Sequence, residues 1–217
     1  LIGNGKTMLA VRDCLRLAER RNAVLVSNIW IAGSVPWIDC AGKVPESGRV
    51  QLSVGVDGFD LDELDTIIDL AKSAGRGLVW LIDEIGILMP ARFWQKFPID
   101  LMYKLSQSRK VRLDVYWTSQ DVEDVEAYLR RKTSYVFKVY AFPVPSIDRQ
   151  ERGKRPWFFY ESRWLPGSVG KRDKRRGRGF VRYTRAMEGS YDTDELVRPP
   201  ARLTQKNRAP RGGPGWK

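Results

Sequence analysis

The chain has 217 residues, with 38 Lys+Arg against 26 Asp+Glu for a net charge of +12, no His and two Cys. The lack of His excludes His-based triads, His-ligated zinc and His proton shuttles, and Cys14 and Cys40 show neither a disulfide framework nor metal-ligand spacing, so a reducing compartment is the default expectation. A hydrophobic share of 42% and a charged share of 29% are ordinary for a soluble domain with a substantial core.

The chain opens LIGNGKT. A phosphate-binding loop reads G-x-x-x-x-G-K-[ST] and joins a buried strand to a helix. Gly5, Lys6 and Thr7 match its last three positions, and its first Gly would fall one residue before Leu1. By itself a Gly-X-Gly-Lys-Thr string is a weak signal. From Met8 to Arg21, Met8, Val11, Leu15 and Ala18 share one face and Arg12, Arg16 and Arg20 the other, which predicts an amphipathic helix. AVLVSNI predicts a short buried strand ending near Asn28. Residues 30–58 are rich in Gly and Pro and read as loops with a hairpin. FDLDELDTIIDLAKSAG predicts a second helix, with Leu61, Leu64, Ile67, Ile68 and Ala71 on one face and Gly75 closing it.

GLVWLIDE predicts a second buried strand, and its form is informative. The apolar run ends in Asp83 and Glu84, and this pair also interrupts LVWLIDEIGILMP so that it cannot cross a bilayer. At the end of a rigid strand, Asp83 can hold Mg²⁺ together with the Thr7 hydroxyl. Glu84, one step on, can polarise an attacking water as a general base. A buried strand ending in a solvated acidic turn would look the same. Order and element type together favour nucleotide binding, with backbone groups of Gly3, Asn4, Gly5, Lys6 and Thr7 cradling the phosphates of ATP.

After Pro98, residues 99–108 read as a helix. VRLDVYWTSQ predicts a third strand ending in the polar triplet Thr118-Ser119-Gln120, where ligands sit in open α/β sheets. Gln120 there can sense a γ-phosphate or position water; alternatively, Ser119 or Asp121 caps the next helix. Arg109, just before that strand, can neutralise a transferring phosphoryl group within a subunit or from a neighbour, or merely close a helix C-terminus. DVEDVEAYLRRK predicts a third helix and TSYVFKVYAF a fourth strand. Alternating strands and helices give an α/β class with a mostly parallel sheet flanked by helices, the P-loop NTPase architecture.

Beyond Pro143 the pattern changes. Residues 1–145 hold 19 basic and 18 acidic residues, whereas 146–217 hold 19 and 8. WFFYESRW reads as one more strand, KRDKRRGRG as a charge run and the C-terminal stretch as disordered. The expected division is a P-loop domain over 1–145, a basic and aromatic extension over 146–196 that closes it, and a tail over 197–217. Aromatics interleaved with cations can stack on bases and grip phosphates, and a solvated tail is the competing reading.

The series Gly-Asn-Gly-Lys-Thr, Val-Leu-Val-Ser-Asn-Ile, an apolar-Asp-Glu strand, Ser108-Arg109-Lys110 and Thr-Ser-Gln resembles the N-terminal domain of the zonula occludens toxin-like proteins. Asn28-Ile29, Leu129-Arg130, Met89-Pro90-Ala91-Arg92 and Tyr191-Asp192-Thr193 add to that resemblance, and residues 30–75 match poorly. These are assembly ATPases of filamentous phages, related to DNA-pumping motors of the FtsK/HerA type. The resemblance implies Mg·ATP hydrolysis coupled to phage morphogenesis or DNA extrusion and a homo-oligomeric ring. It also implies phage DNA or assembly proteins as partners, and a site in the host cytoplasm or on the cytoplasmic face of the inner membrane. It further implies a chain that begins inside its phosphate-binding loop, lacks the preceding strand and is weakened or inactive for that reason. No His flanks Arg109 and no membrane segment follows the ATPase region, unlike many family members. A packaging motor of another phage type and a basic nucleic-acid-binding module with a non-hydrolysing P-loop remain alternatives.

Overall fold

A computed structural model describes residues 5–55, 58–89, 99–142, 157–164, 174–182, 187 and 189–191. Helix α1 (Lys6–Arg21) buries Val11, Cys14 and Ala18 on one face and Met8 and Leu9 at its start. Arg20 and Arg21 occupy its last turn, where the helix dipole favours cations, and Asn22 closes it in the left-handed region. Strand β1 (Val24–Ser27) follows, then a two-residue strand β2 (Val35–Pro36), a 3₁₀ turn over Trp37–Cys40 and β3 (Arg49–Gln51). A small hairpin of β4 (Val54–Gly55) and β5 (Gly58–Phe59) leads into α2 (Leu61–Ser73). The Asp60 carboxylate caps α2 by accepting from the Asp62 and Glu63 amides, and Gly75 (φ 68) sits just beyond its end.

Strand β6 (Leu78–Ile82), the short helix α3 (Ile85–Leu88), α4 (Ile99–Ser106) and β7 (Leu113–Trp117) complete the main sheet. Its order is β2-β3-β1-β6-β7, with every pairing parallel. All residues of β1 and β6 are buried, as expected for strands covered on both faces. Alternation along each strand divides the core. Leu25, Val79 and Leu81 face α1, with Val11, Cys14 and Ala18. Val24, Val26, Leu78, Trp80 and Ile82 face α2, with Leu64, Ile67 and Ile68. The expected α/β fold is present.

Four expectations are corrected. Residues 30–58 contain, besides the hairpin, two strands of the main sheet: β3 pairs with β1 through Leu25↔Arg49 and Ser27↔Gln51, and β2 pairs with β3 through Val35↔Val50. The helix expected over DVEDVEAYLRRK shortens to α5 (Ala127–Lys132). The Asp121 carboxylate accepts from the Glu123 amide and Ser119 Oγ donates to the Asp121 carbonyl, a local turn that competes with helix. Its cap is Glu126, whose carboxylate accepts from the Tyr128 and Leu129 amides, not Ser119 or Asp121. Third, β8 (Tyr135–Phe142) does not join the parallel sheet. It pairs antiparallel with β9 (Trp157–Trp164), which pairs antiparallel with β10 (Lys174–Arg182). Fourth, much of the charge run is therefore a strand.

This second sheet straddles the expected boundary at 145/146, because β8 precedes it. One face of the sheet, through Val139, Tyr160 and Val181, packs on Met8 and Leu9 at the start of α1. Gly179 is required there: a Cβ would overlap the Tyr160 ring. Tyr191 bridges to Ile31 and packs against both the α1-side core and the cluster between α1 and the second sheet; Asp192 and Thr193 lie outside the described residues, as do residues 90–98 and 192–217. Both cysteines are free thiols, and burial raises the Cys14 pKa. Among the described residues no helix is long and apolar enough to cross a membrane.

Candidate nucleotide site

The site lies at the C-terminal ends of β1, β6 and β7, where the start of α1 meets two acidic residues. Gly5 caps α1 with φ 75 and ψ 13, a conformation open to Gly at little cost. Among the described residues no side chain caps this end, and no acidic residue sits in its first turn. The first-turn amides therefore present positive potential to an anion.

Asp83 and Glu84 follow β6 directly. Asp83 is 7% exposed, and its Oδ1 accepts from Thr7 Oγ1 at 2.8 Å and from Thr118 Oγ1 at 2.6 Å. Its backbone is clamped from β1: the Asp83 amide donates to Asn28 Oδ1 at 2.7 Å, and Asn28 Nδ2 donates to the Asp83 carbonyl at 3.1 Å. Asn28 thus spends its whole amide on fixing where the acidic pair begins. Glu84 adopts the left-handed region, with φ 50 and ψ 49, which is costly for a residue with a side chain. Thr118 holds it there. The Glu84 amide donates to Thr118 Oγ1 at 2.9 Å, the Ile85 amide to the Thr118 carbonyl at 2.9 Å, and the Thr118 amide to the Ile82 carbonyl at 3.0 Å.

Gln120 links the remaining groups. Lys6 Nζ donates to Gln120 Oε1 at 2.7 Å, and Gln120 Nε2 donates to Glu84 Oε1 at 2.6 Å. An ammonium, an amide and a carboxylate form one chain from the start of α1 to the acidic pair.

Lys6, Thr7, Asp83, Glu84 and Gln120 therefore converge, although up to 114 residues separate them. Gly3 and Asn4 lie outside the described residues. Arg109 is not part of the cluster. It sits in the turn before β7, and the Leu78 amide pairs with the Arg112 carbonyl, so this turn lies at the opposite end of the sheet. Five strand residues separate the two ends, roughly 16 Å at the usual rise. Within one chain Arg109 cannot reach the site. Asn28 and Thr118 were not singled out as site residues from the sequence. Their signal there is a polar residue at the end of an apolar strand, Thr118 as part of the polar triplet and Asn28 as part of the resembling Asn-Ile pair.

The donor set fits Mg²⁺. Thr7 Oγ1 and the Asp83 carboxylate are hard oxygens close together, and Mg²⁺ prefers a few protein oxygens completed by water and substrate phosphates. Burial raises the Asp83 pKa, opposed by the hydrogen bonds from Thr118 and Thr7 and by the charge of Lys6. The folded state then holds the proton more tightly than the unfolded chain does. Without a cation, the fold loses stability as pH rises from the ordinary Asp range to the raised value, and the loss is constant above it. Asp83→Asn keeps an acceptor for both hydroxyls and removes the buried charge. It is expected to flatten this pH slope and raise the melting temperature of the metal-free protein, by about 2–4 °C per kcal/mol for a domain of this size. Mg²⁺-dependent nucleotide binding should be lost at the same time. A lower melting temperature at neutral pH would make the carboxylate a structural group instead.

No protein-family model matches the chain, and no curated protein does. Solved structures do. The genome packaging NTPase B204 of Sulfolobus turreted icosahedral virus 2, in complex with ATP-gammaS, is similar at TM-score 0.51 and 14% identity, over 63% of this chain and 70% of that one. The N-terminal domain of zonular occludens toxin from Neisseria meningitidis aligns over 88% of this chain and 95% of its own at TM-score 0.46 and 14% identity. The first likeness is one of fold: this chain shares with that NTPase an α/β fold with a mostly parallel sheet flanked by helices.

Proposed function

We propose that the protein is a P-loop ATPase that couples Mg·ATP hydrolysis to the handling of DNA during phage morphogenesis. The observation that carries the reading is the convergence of Lys6 and Thr7 on Asp83, Glu84 and Gln120 at the mouth of α1. The packaging NTPase of similar fold, solved with an ATP analogue, supports the nucleotide. The resemblance of the motif series supports the phage setting, in the host cytoplasm or at the cytoplasmic face of the inner membrane.

Each residue has a role in this reading. The α1 amides and Lys6 neutralise the β- and γ-phosphate oxygens and fix the nucleotide in line with the attacking water. Thr7 and Asp83 would hold Mg²⁺, which when bound would neutralise negative charge on the nucleotide phosphates. Glu84 accepts the proton of the attacking water, and Gln120, already bonded to both Lys6 and Glu84, aligns that water with the γ-phosphate. Asn28 and Thr118 hold the two carboxylates at their posts. Arg109 serves the site of a neighbouring subunit, so the active form is a homo-oligomer.

Phosphate release from ATP by the full-length protein tests the reading. It is expected to require Mg²⁺ and to speed up when DNA is added. Mg·ATP binding without turnover would favour a nucleic-acid-binding module with a non-hydrolysing P-loop, and no Mg·ATP binding would sink the proposal.

A further inference from the structure

The outer face of the second sheet carries an aromatic row that the nucleotide site does not use. In antiparallel register, Tyr140 lies opposite Phe159 and Phe159 opposite Phe180. The ring centroids are 6.0 Å apart for the first pair and 5.2 Å for the second. One row along, Lys138 and Arg178 flank Glu161 in the same register, and the Arg178 guanidinium lies 4.0 Å from the Glu161 carboxylate.

Strand alternation puts both rows on the face opposite Val139, Tyr160 and Val181, which pack on α1. The rings are thus on the side that a one-sided antiparallel sheet normally makes polar. Phe180 is 66% exposed and Tyr140 47%. An exposed run of large rings in register marks a binding surface rather than scattered surface apolarity.

Charge selects the occupant. Strand β10 contributes five basic residues and no acidic one to this sheet, and Lys138 and Arg178 are exposed beside the rings. A row of rings flanked by cations matches a ligand with flat π-faces on an anionic backbone. Stacked aromatics on an antiparallel sheet with basic neighbours are how single-stranded nucleic acids are held. A duplex hides its base faces and cannot use the rings. We infer that the Tyr140–Phe159–Phe180 face binds single-stranded nucleic acid, its bases stacking on the rings and its phosphates meeting Lys138 and Arg178. This site is separate from the P-loop and does not depend on hydrolysis.

Fluorescence anisotropy of a labelled oligothymidine on the full-length protein, without nucleotide, tests this, with oligouridine and a duplex of equal length as further arms. Wild type is expected to bind both single strands more tightly than the duplex; the ratio of the two tells DNA from RNA. Phe180→Ala should weaken single-strand binding by about 5- to 150-fold, the range for losing one stacked base. Phe180→Trp should keep it. Arg178→Ala should lower the salt slope by about 0.7, one phosphate contact on a single strand. Tyr140→Ala gives the same reading should Phe180→Ala melt early, and basal phosphate release should be unchanged in both. Wild-type affinity in Phe180→Ala and Tyr140→Ala, or equal affinity for the duplex, overturns the inference. So does a change of oligomeric state in Phe180→Ala, which would make the face a protein interface.

Discussion

Glu84→Gln is expected to lower the rate of ATP hydrolysis by about two to four decades, the usual contribution of a general base, while Mg·ATP binding stays nearly intact. The substitution preserves the length of the side chain and the oxygen that accepts from Gln120 Nε2 at 2.6 Å. It also leaves alone the clamp that Thr118 places on the Glu84 amide at 2.9 Å. Only the capacity to take a proton is removed. Asp83 is untouched, so cation and nucleotide should still bind. Single-turnover phosphate release together with calorimetric binding separates the two quantities. Wild-type turnover in Glu84→Gln would remove Glu84 from the chemistry. A parallel loss of binding would show that it holds the nucleotide instead.

Lys6→Ala acts on the other half of the division. Lys6 is the first residue of α1, and its ammonium reaches Gln120 at 2.7 Å. Truncating one partner of a charge-assisted contact costs about 2–5 kcal/mol, so Mg·ATP binding is expected to weaken by about 30-fold or more. Its side chain is absent from the buried core, and the melting temperature should hardly move. Lys6→Arg should not restore binding, because a planar guanidinium cannot replace a compact ammonium in a tight phosphate loop. Wild-type affinity in Lys6→Ala would place the nucleotide site elsewhere on the protein.

Much of the architecture was legible from local pattern. The apolar runs of β1 and β6 and the periodic faces of α1 and α2 are dictated by residues next to one another in the chain, and both strands are buried throughout. The failures have two causes. Strand β3 is Arg-Val-Gln and β10 is Lys-Arg-Arg-Gly-Arg-Gly-Phe-Val-Arg, and neither has the composition of a strand. They are strands because β1 and β9 offer them backbone partners distant in sequence. α5 is short because the Asp121 carboxylate and the Ser119 hydroxyl before it bond to nearby backbone and hold a turn.

Local motifs set the chemistry available: a Gly-Lys-Thr opening a helix, an apolar strand ending in Asp83 and Glu84, and a polar triplet ending the next strand. Motifs record residue types at fixed spacing, and spacing is local. Which side chains meet depends on how the strands pair. Parallel pairing of β6 and β7 brings Glu84 to Gln120 and Thr118 to Asp83, and the same direction carries Arg109 to the far end of the sheet. Asn28 reaches Asp83 because β1 lies beside β6 in register, through Ser27↔Leu81. Antiparallel register in the second sheet turns three separate aromatics into one row. Register is a property of strand pairs, so it becomes visible only once the pairs have formed.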